Sequence, residues 1–87
     1  MKVSITSVNN ETNGGKLITN YYFDNDVWVG ITPSDKTWEL QHDDDEESYI
    51  SGKFVTIENV VVGFDGCNEL PKEVEKALRH QGYKMVI

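Results

Sequence analysis

The sequence predicts an α+β domain: a mostly antiparallel β-sheet, a meander of about five to seven short strands, with one C-terminal helix packed on it. Three observations carry this. Strand-like alternation of β-branched and aromatic residues recurs from Val3 to Phe64, turn formers punctuate it at short intervals, and only the stretch from Pro71 to about Gln81 has helical spacing. At 87 residues the chain has room for one domain, residues 1–87. A hydrophobic content of 38% with nine aromatic residues suffices for a core. A domain this small buries a modest share of its surface, so its stability margin is thin.

The elements follow in order. Val3 and Ile5 alternate with Ser4 and Thr6, as in a half-buried strand. Asn9 to Gly15 is dense in turn formers, and its Asn13-Gly14 pair signals a hairpin because both residues tolerate positive φ. Leu17 to Phe23 and Val27 to Ile31 read as strands on either side of an Asp24-Asn25-Asp26 turn. Thr32-Pro33-Ser34-Asp35 is a further turn, with proline placed to start it. Thr37 to Gln41 alternates, with Trp38 and Leu40 on one face. The acidic run Asp43 to Glu47 is expected to be a solvated loop. Tyr49 to Ile57 resumes strand character with an interruption at Ser51-Gly52, and Glu58-Asn59 turns it into Val60 to Phe64.

Proline at position 71 suits the first helical residue, where an N–H would lack a partner. Val74, Ala77 and Leu78 form an apolar stripe at i, i+3 and i+4, which turns Lys72, Glu75, Lys76 and Arg79 to water. Gly82 stands where a left-handed cap is wanted, and Tyr83 to Ile87 can return as a last strand.

The formal charge is −7, and its distribution is lopsided. Residues 24–47 hold nine acids (Asp24, Asp26, Asp35, Glu39, Asp43, Asp44, Asp45, Glu46, Glu47) against Lys36 alone, a local balance of −8. Such a field repels nucleic acid and anionic membrane and attracts basic surfaces. Were the strand to continue through Asp24 and Asp26, their carboxylates would share a side about 6.6 Å apart. Duplex phosphates lie a comparable distance apart, so carboxylates on a sheet can imitate them. The plainer reading is that acid runs in loops are solvated and aid solubility. Trp28 and Trp38 lie in neighbouring strands; at least one belongs in the core, and an exposed one beside the acids would make an interface anchor.

Catalytic and metal-binding patterns are not found. Asp24 to Trp28 fails the calcium-loop pattern at its third ligand position, and Asp43 to Glu47 contains no glycine. Cys67 with the distant His42 and His80 gives no zinc spacing, and a small half-buried thiol is commoner than a nucleophilic one. The paired carboxylates have nothing apolar around them to separate their pKa values. No phosphate-cradling glycine loop, catalytic triad or metalloprotease pattern occurs. The expectation is therefore a protein that is no enzyme and needs no cofactor. With one cysteine, no membrane-length apolar run and no signal-like apolar block in Met1 to Thr6, a cytoplasmic location is expected.

The stretch Ile57-Glu58-Asn59-Val60-Val61-Val62-Gly63-Phe64-Asp65-Gly66-Cys67-Asn68-Glu69-Leu70-Pro71-Lys72-Glu73-Val74 resembles the C-terminal part of small acidic proteins of phage type. The resemblance implies a β-hairpin, an aromatic-Asp-Gly turn and a Glu-Leu-Pro helix start. It also implies a context, since small acidic phage proteins often block a host protein. No functional residue carries over from it. Together with the charge, it points to an inhibitor of phage or mobile-element type. Such a protein would be a DNA mimic whose acidic face occupies a basic, nucleic-acid-binding surface of a host defence complex, as an anti-CRISPR or anti-restriction protein does. The residues expected to carry this are the nine acids named above and Trp28. The alternative is a structural or accessory interaction domain that pairs through exposed strand edges, with incidental acidity.

Overall fold

A computed structural model describes residues 3–86 of the chain. Seven strands and one helix follow in the order β1 (Ile5–Asn13), β2 (Lys16–Phe23), β3 (Val27–Thr32), β4 (Thr37–His42), β5 (Asp45–Ile57), β6 (Val60–Phe64), α1 (Lys72–His80) and β7 (Lys84–Met85). The strands form one curled sheet in chain order, β1 to β7. Every neighbouring pair is antiparallel except β6 and β7, which are joined through the helix and run parallel. The expected meander and C-terminal helix are both present.

The sheet has one covered face. Val27, Val29 and Ile31 of β3 stand beside Leu40 and Trp38 of β4 and Tyr21 and Phe23 of β2. Val74, Ala77 and Leu78 of α1 close over them, all fully buried. Burying a side chain of this kind stabilises by about 1.5–3 kcal/mol, so this layer holds the domain together. The helix end is tied down as well. Tyr21 Oη accepts from Gln81 Nε2 at 2.9 Å and sits 3.1 Å from His80 Nδ1, and burial pushes its pKa up.

Four details differ from the sequence reading. First, Asn9 to Thr12 extend β1, and the turn is the two residues Gly14 and Gly15, at φ 61° and 80°. Positive φ at both positions is the hairpin geometry that matches strand twist. The asparagines serve the ladder: Thr19 Oγ1 donates to Asn10 Oδ1, and Asn20 Nδ2 donates to Glu11 Oε1 at 3.0 Å. Second, the acidic run is not a free loop. Only Asp43 and Asp44 turn, and β5 begins at Asp45, with a bulge over residues 46–49 closed by Ser48. The Ser48 hydroxyl accepts from the His42 amide at 2.8 Å and donates to the Asp45 carbonyl at 2.6 Å.

Third, Ser51-Gly52 does not interrupt β5. The chain leaving β6 crosses over it there, and a Cβ at residue 52 would lie 2.1 Å from the Asp65 carbonyl oxygen. Only glycine admits that approach. Asp65 locks the crossing, accepting from the Lys53 amide at Oδ1 and donating its own amide to the Lys53 carbonyl at 2.9 Å. Fourth, Pro71 is the N-cap and the helix starts at Lys72, one residue later than expected. Lys76, expected in water, reaches back to donate to the Val3 carbonyl.

The far end of α1 behaves as the glycine predicts. Gly82 has φ 106°, and the amides of Tyr83 and Gly82 bond the carbonyls of Leu78 and Arg79. That is the paired capping of a Schellman motif. The last strand is only Lys84–Met85; Ile87, included in the expected strand, lies outside the described residues.

Candidate functional site

In a meander, alternate turns fall at the same end of the sheet. The β2–β3 turn (Asp24, Asn25, Asp26) and the β4–β5 turn (Asp43, Asp44) are therefore neighbours, and the Asp43 amide donates to the Asp26 carbonyl at 2.9 Å. Asp26 sits at φ 63°, a conformation that aspartate tolerates better than most residues. Asp24 Oδ1 accepts from the Ser4 amide at 3.1 Å, which fixes its carboxylate against the start of the chain. Strand β2 ends at Phe23, so Asp24 and Asp26 lie in a turn and do not share a strand side as the extended reading supposed. Asp45, Glu46 and Glu47 begin β5 at the same end, and the Glu47 amide donates to Asp45 Oδ1 at 3.0 Å.

The helix N-terminus joins this cluster. Asn25 Nδ2 donates to Glu73 Oε2 at 3.0 Å, and Glu73 is buried. Carboxylates at a helix N-terminus complement the macrodipole, so this acidic end also has a structural value. Sequence reading missed Glu73. Its position two residues after Glu-Leu-Pro, in the first turn, was the available signal.

The remaining two acids lie elsewhere. Asp35 occupies the β3–β4 turn at the opposite end, where its carboxylate pairs with Lys16 Nζ at 2.7 Å. Glu39 stands in mid-sheet on the face the helix leaves open, and Tyr49 Oη donates to its Oε1 at 2.5 Å. That bond holds the Tyr49 proton and pushes its pKa up.

The open face carries an aromatic shelf. Tyr22, Trp28 and Gln41 are in register across β2, β3 and β4, and with Asp43 they line a shallow groove of about 230 Å³. Trp28 Nε1 donates to Asn20 Oδ1 at 2.9 Å, and the ring edge covers Gly30. Both Trp28 Cζ2 and Glu39 Oε2 fall within 3.2 Å of where a Cβ on residue 30 would sit. Glycine thus lets an indole and a carboxylate share one spot. Trp38 points the other way, fully buried, and its indole N–H has no partner among the described residues. The two tryptophans occupy opposite faces because they differ in parity relative to Val29. Sequence reading did not single out Tyr22, Asn20, Gln41 or Tyr49, although parity places the first three beside Trp28.

Other chemistry is sparse among the described residues. Burial and the nearby Asp65 carboxylate push the Cys67 thiol up, away from the thiolate form. His80 is engaged with Tyr21. Among the described residues no three His, Cys, Asp or Glu side chains converge on a metal-sized site, and no helix is long and apolar enough to cross a membrane. No family model, curated protein or solved structure matches the chain.

Proposed function

We propose that this protein is a non-enzymatic inhibitor that lays its acidic end on a basic, nucleic-acid-binding surface of another protein. The supporting observation is the hydrogen bond from the Asp43 amide to the Asp26 carbonyl, which makes one rim of two acid-bearing turns. Carboxylates held on a rim can replace phosphates opposite Lys and Arg. The shelf at Trp28 adjoins that rim through Asp43, and an aromatic face with Glu39 beside it suits a guanidinium. The resemblance of residues 57–74 to phage-type proteins motivates the finer reading: the surface belongs to a host defence complex, such as a CRISPR effector or a restriction enzyme.

The test is affinity capture from a bacterial lysate, followed by competition with duplex DNA. The captured protein should bind DNA on its own, lose that binding when this chain is added, and release this chain as salt rises. A captured partner that binds DNA undisturbed at saturating inhibitor would refute the proposal. The second reading, pairing through a strand edge, is favoured by one observation: among the described residues the outer edge of β1 has no partner strand.

A further inference from the structure

Strand β1 is nine residues long and lies at the edge of the sheet, and all its residues but Ile5 are exposed. The helix packs on β3, β4 and β7. Beyond the bulge at Thr6, therefore, β1 is held chiefly by its ladder to β2. Past Asn10, where β2 has no register with β3, the two strands form a two-stranded ribbon, which is marginal in water without a buried face. Edge strands normally carry lysine or proline, or they twist away from pairing. From Ser7 to Asn13, β1 has neither, and Glu11 is its one charge in a chain of net −7.

The hairpin fixes which backbone groups point outward. A two-residue turn makes Asn13 and Lys16 a hydrogen-bonded pair, so Glu11, Asn9 and Ser7 direct their amides and carbonyls at β2. Val8, Asn10 and Thr12 direct theirs away from the sheet. We propose that this edge pairs with the same edge of a second copy, antiparallel and centred on Asn10. Asn10 then exchanges both bonds with Asn10 of the other copy, and Val8 pairs with its Thr12, so all three outward residues are satisfied by one two-fold axis. Such an isologous arrangement closes on itself and leaves no new edge.

Charge favours the same geometry. The acid-bearing turns lie at the Ile5 end of β1 and the Lys16–Asp35 pair at its Asn13 end. Antiparallel pairing places the acidic end of each copy beside the hairpin tip of the other; parallel pairing would set the two acidic ends together. On the helix side, Val8 and Leu17 are 40% and 51% exposed beside Thr19 and His80 in a groove that contains no acid. The copy's Val8 and Leu17 would extend that surface across the seam.

The test is sedimentation of the full-length chain from low micromolar to near-millimolar concentration, with Asn10→Pro and Val8→Lys alongside. Proline at residue 10 removes an amide that β2 does not use. The wild type should reach the mass of two chains. Asn10→Pro should weaken the dimer on the order of tenfold or more, since symmetry removes two bonds. Val8→Lys should weaken it as well, which keeps the test valid if the proline variant fails to fold. Amide exchange at Val8, Asn10 and Thr12 should slow as the dimer fills. A wild type that stays monomeric throughout, or a dimer that neither variant weakens, overturns the proposal.

Discussion

Strands β1 and β3 belong to one sheet and are stabilised in different ways. In β3 every residue but Trp28 is buried, and its apolar side chains meet the helix. In β1 nearly every side chain is in water, and cross-strand polar bonds with β2 replace packing. The contrast teaches that a strand can be specified by its ladder and its turn without a buried face. Such a strand is the one most open to a partner. It is also the one a hydrophobic pattern misses.

The contrast is broken most forcefully from the packed side. Phe54→Ala and Leu78→Ala should each destabilise by about 2–5 kcal/mol, as large-to-small core changes do. In a domain of this size that approaches the whole margin. Denaturant melts of the two variants check it, and a loss below about half a kcal/mol would mean that the helix does not anchor the sheet. Gly52→Ala belongs to the same class, because its methyl group meets the Asp65 carbonyl, which is backbone and cannot swing aside.

Next in size is binding. Neutralising Asp24, Asp26 and Glu39 together to Asn and Gln should cost on the order of 1–3 kcal/mol of affinity for the basic partner, mostly as faster dissociation. Neutralising Asp43 to Glu47 should instead lower the association rate several-fold, through lost long-range attraction. Surface plasmon resonance on the captured partner separates the two rates. Salt distinguishes this surface from β1. Rising ionic strength should weaken partner binding, whereas it should strengthen self-pairing between two copies that each carry −7.

These regions also differ in how much of them the sequence discloses. Strands β2 to β4, β6 and the helix are legible because burial imposes a period of 2 or 3.6 on their side chains, whereas the exposed start of β5, from Asp45, read as a loop. The β1 residues Asn9 to Thr12 read as a turn because asparagine offers its side chain to local backbone; here those side chains bond across to β2 instead. The acidic end was legible as composition but not as geometry. Its gathering of two turns follows from meander parity, which needs the strand count to be right first. Gly52 gave no local sign of what it admits, since the Asp65 segment that crosses it lies far away in sequence. The indole over Gly30, by contrast, belongs to Trp28, two residues away on the same face of β3.

A smaller effect is expected at alkaline pH. Burial raises the Tyr21 pKa, and the bond to Glu39 raises that of Tyr49, so both hold their protons more firmly folded than unfolded. Their contribution is fully present below the ordinary tyrosine value near 10 and is lost as pH rises through the folded values. Thermal melts across that range should show stability falling, and Tyr49→Phe should flatten the fall. An equally steep fall in the Tyr49→Phe, Tyr21→Phe double variant would assign it to other groups.

The smallest effect is expected in β1 itself, and it is the sharpest comparison with β3. Val8 and Val29 both lie on the helix side of the sheet, each in register with Tyr21. Val29 is fully buried and Val8 is 40% exposed. Replacing Val29 with threonine sets a hydroxyl among apolar neighbours, at a cost of about 1–3 kcal/mol by protein mutational measures. Replacing Val8 with threonine leaves the hydroxyl in water and keeps the β-branched shape, so the monomer should change by less than about 0.5 kcal/mol. The measurement must be made dilute, where only single chains are present, because the seam proposed above would bury Val8 beside Thr12 of a second copy. A Val8→Thr loss that is negligible when dilute and grows with protein concentration would locate the missing burial of β1 in its partner. A large loss in the dilute monomer would instead mean that β1 is packed like β3, and the contrast would dissolve.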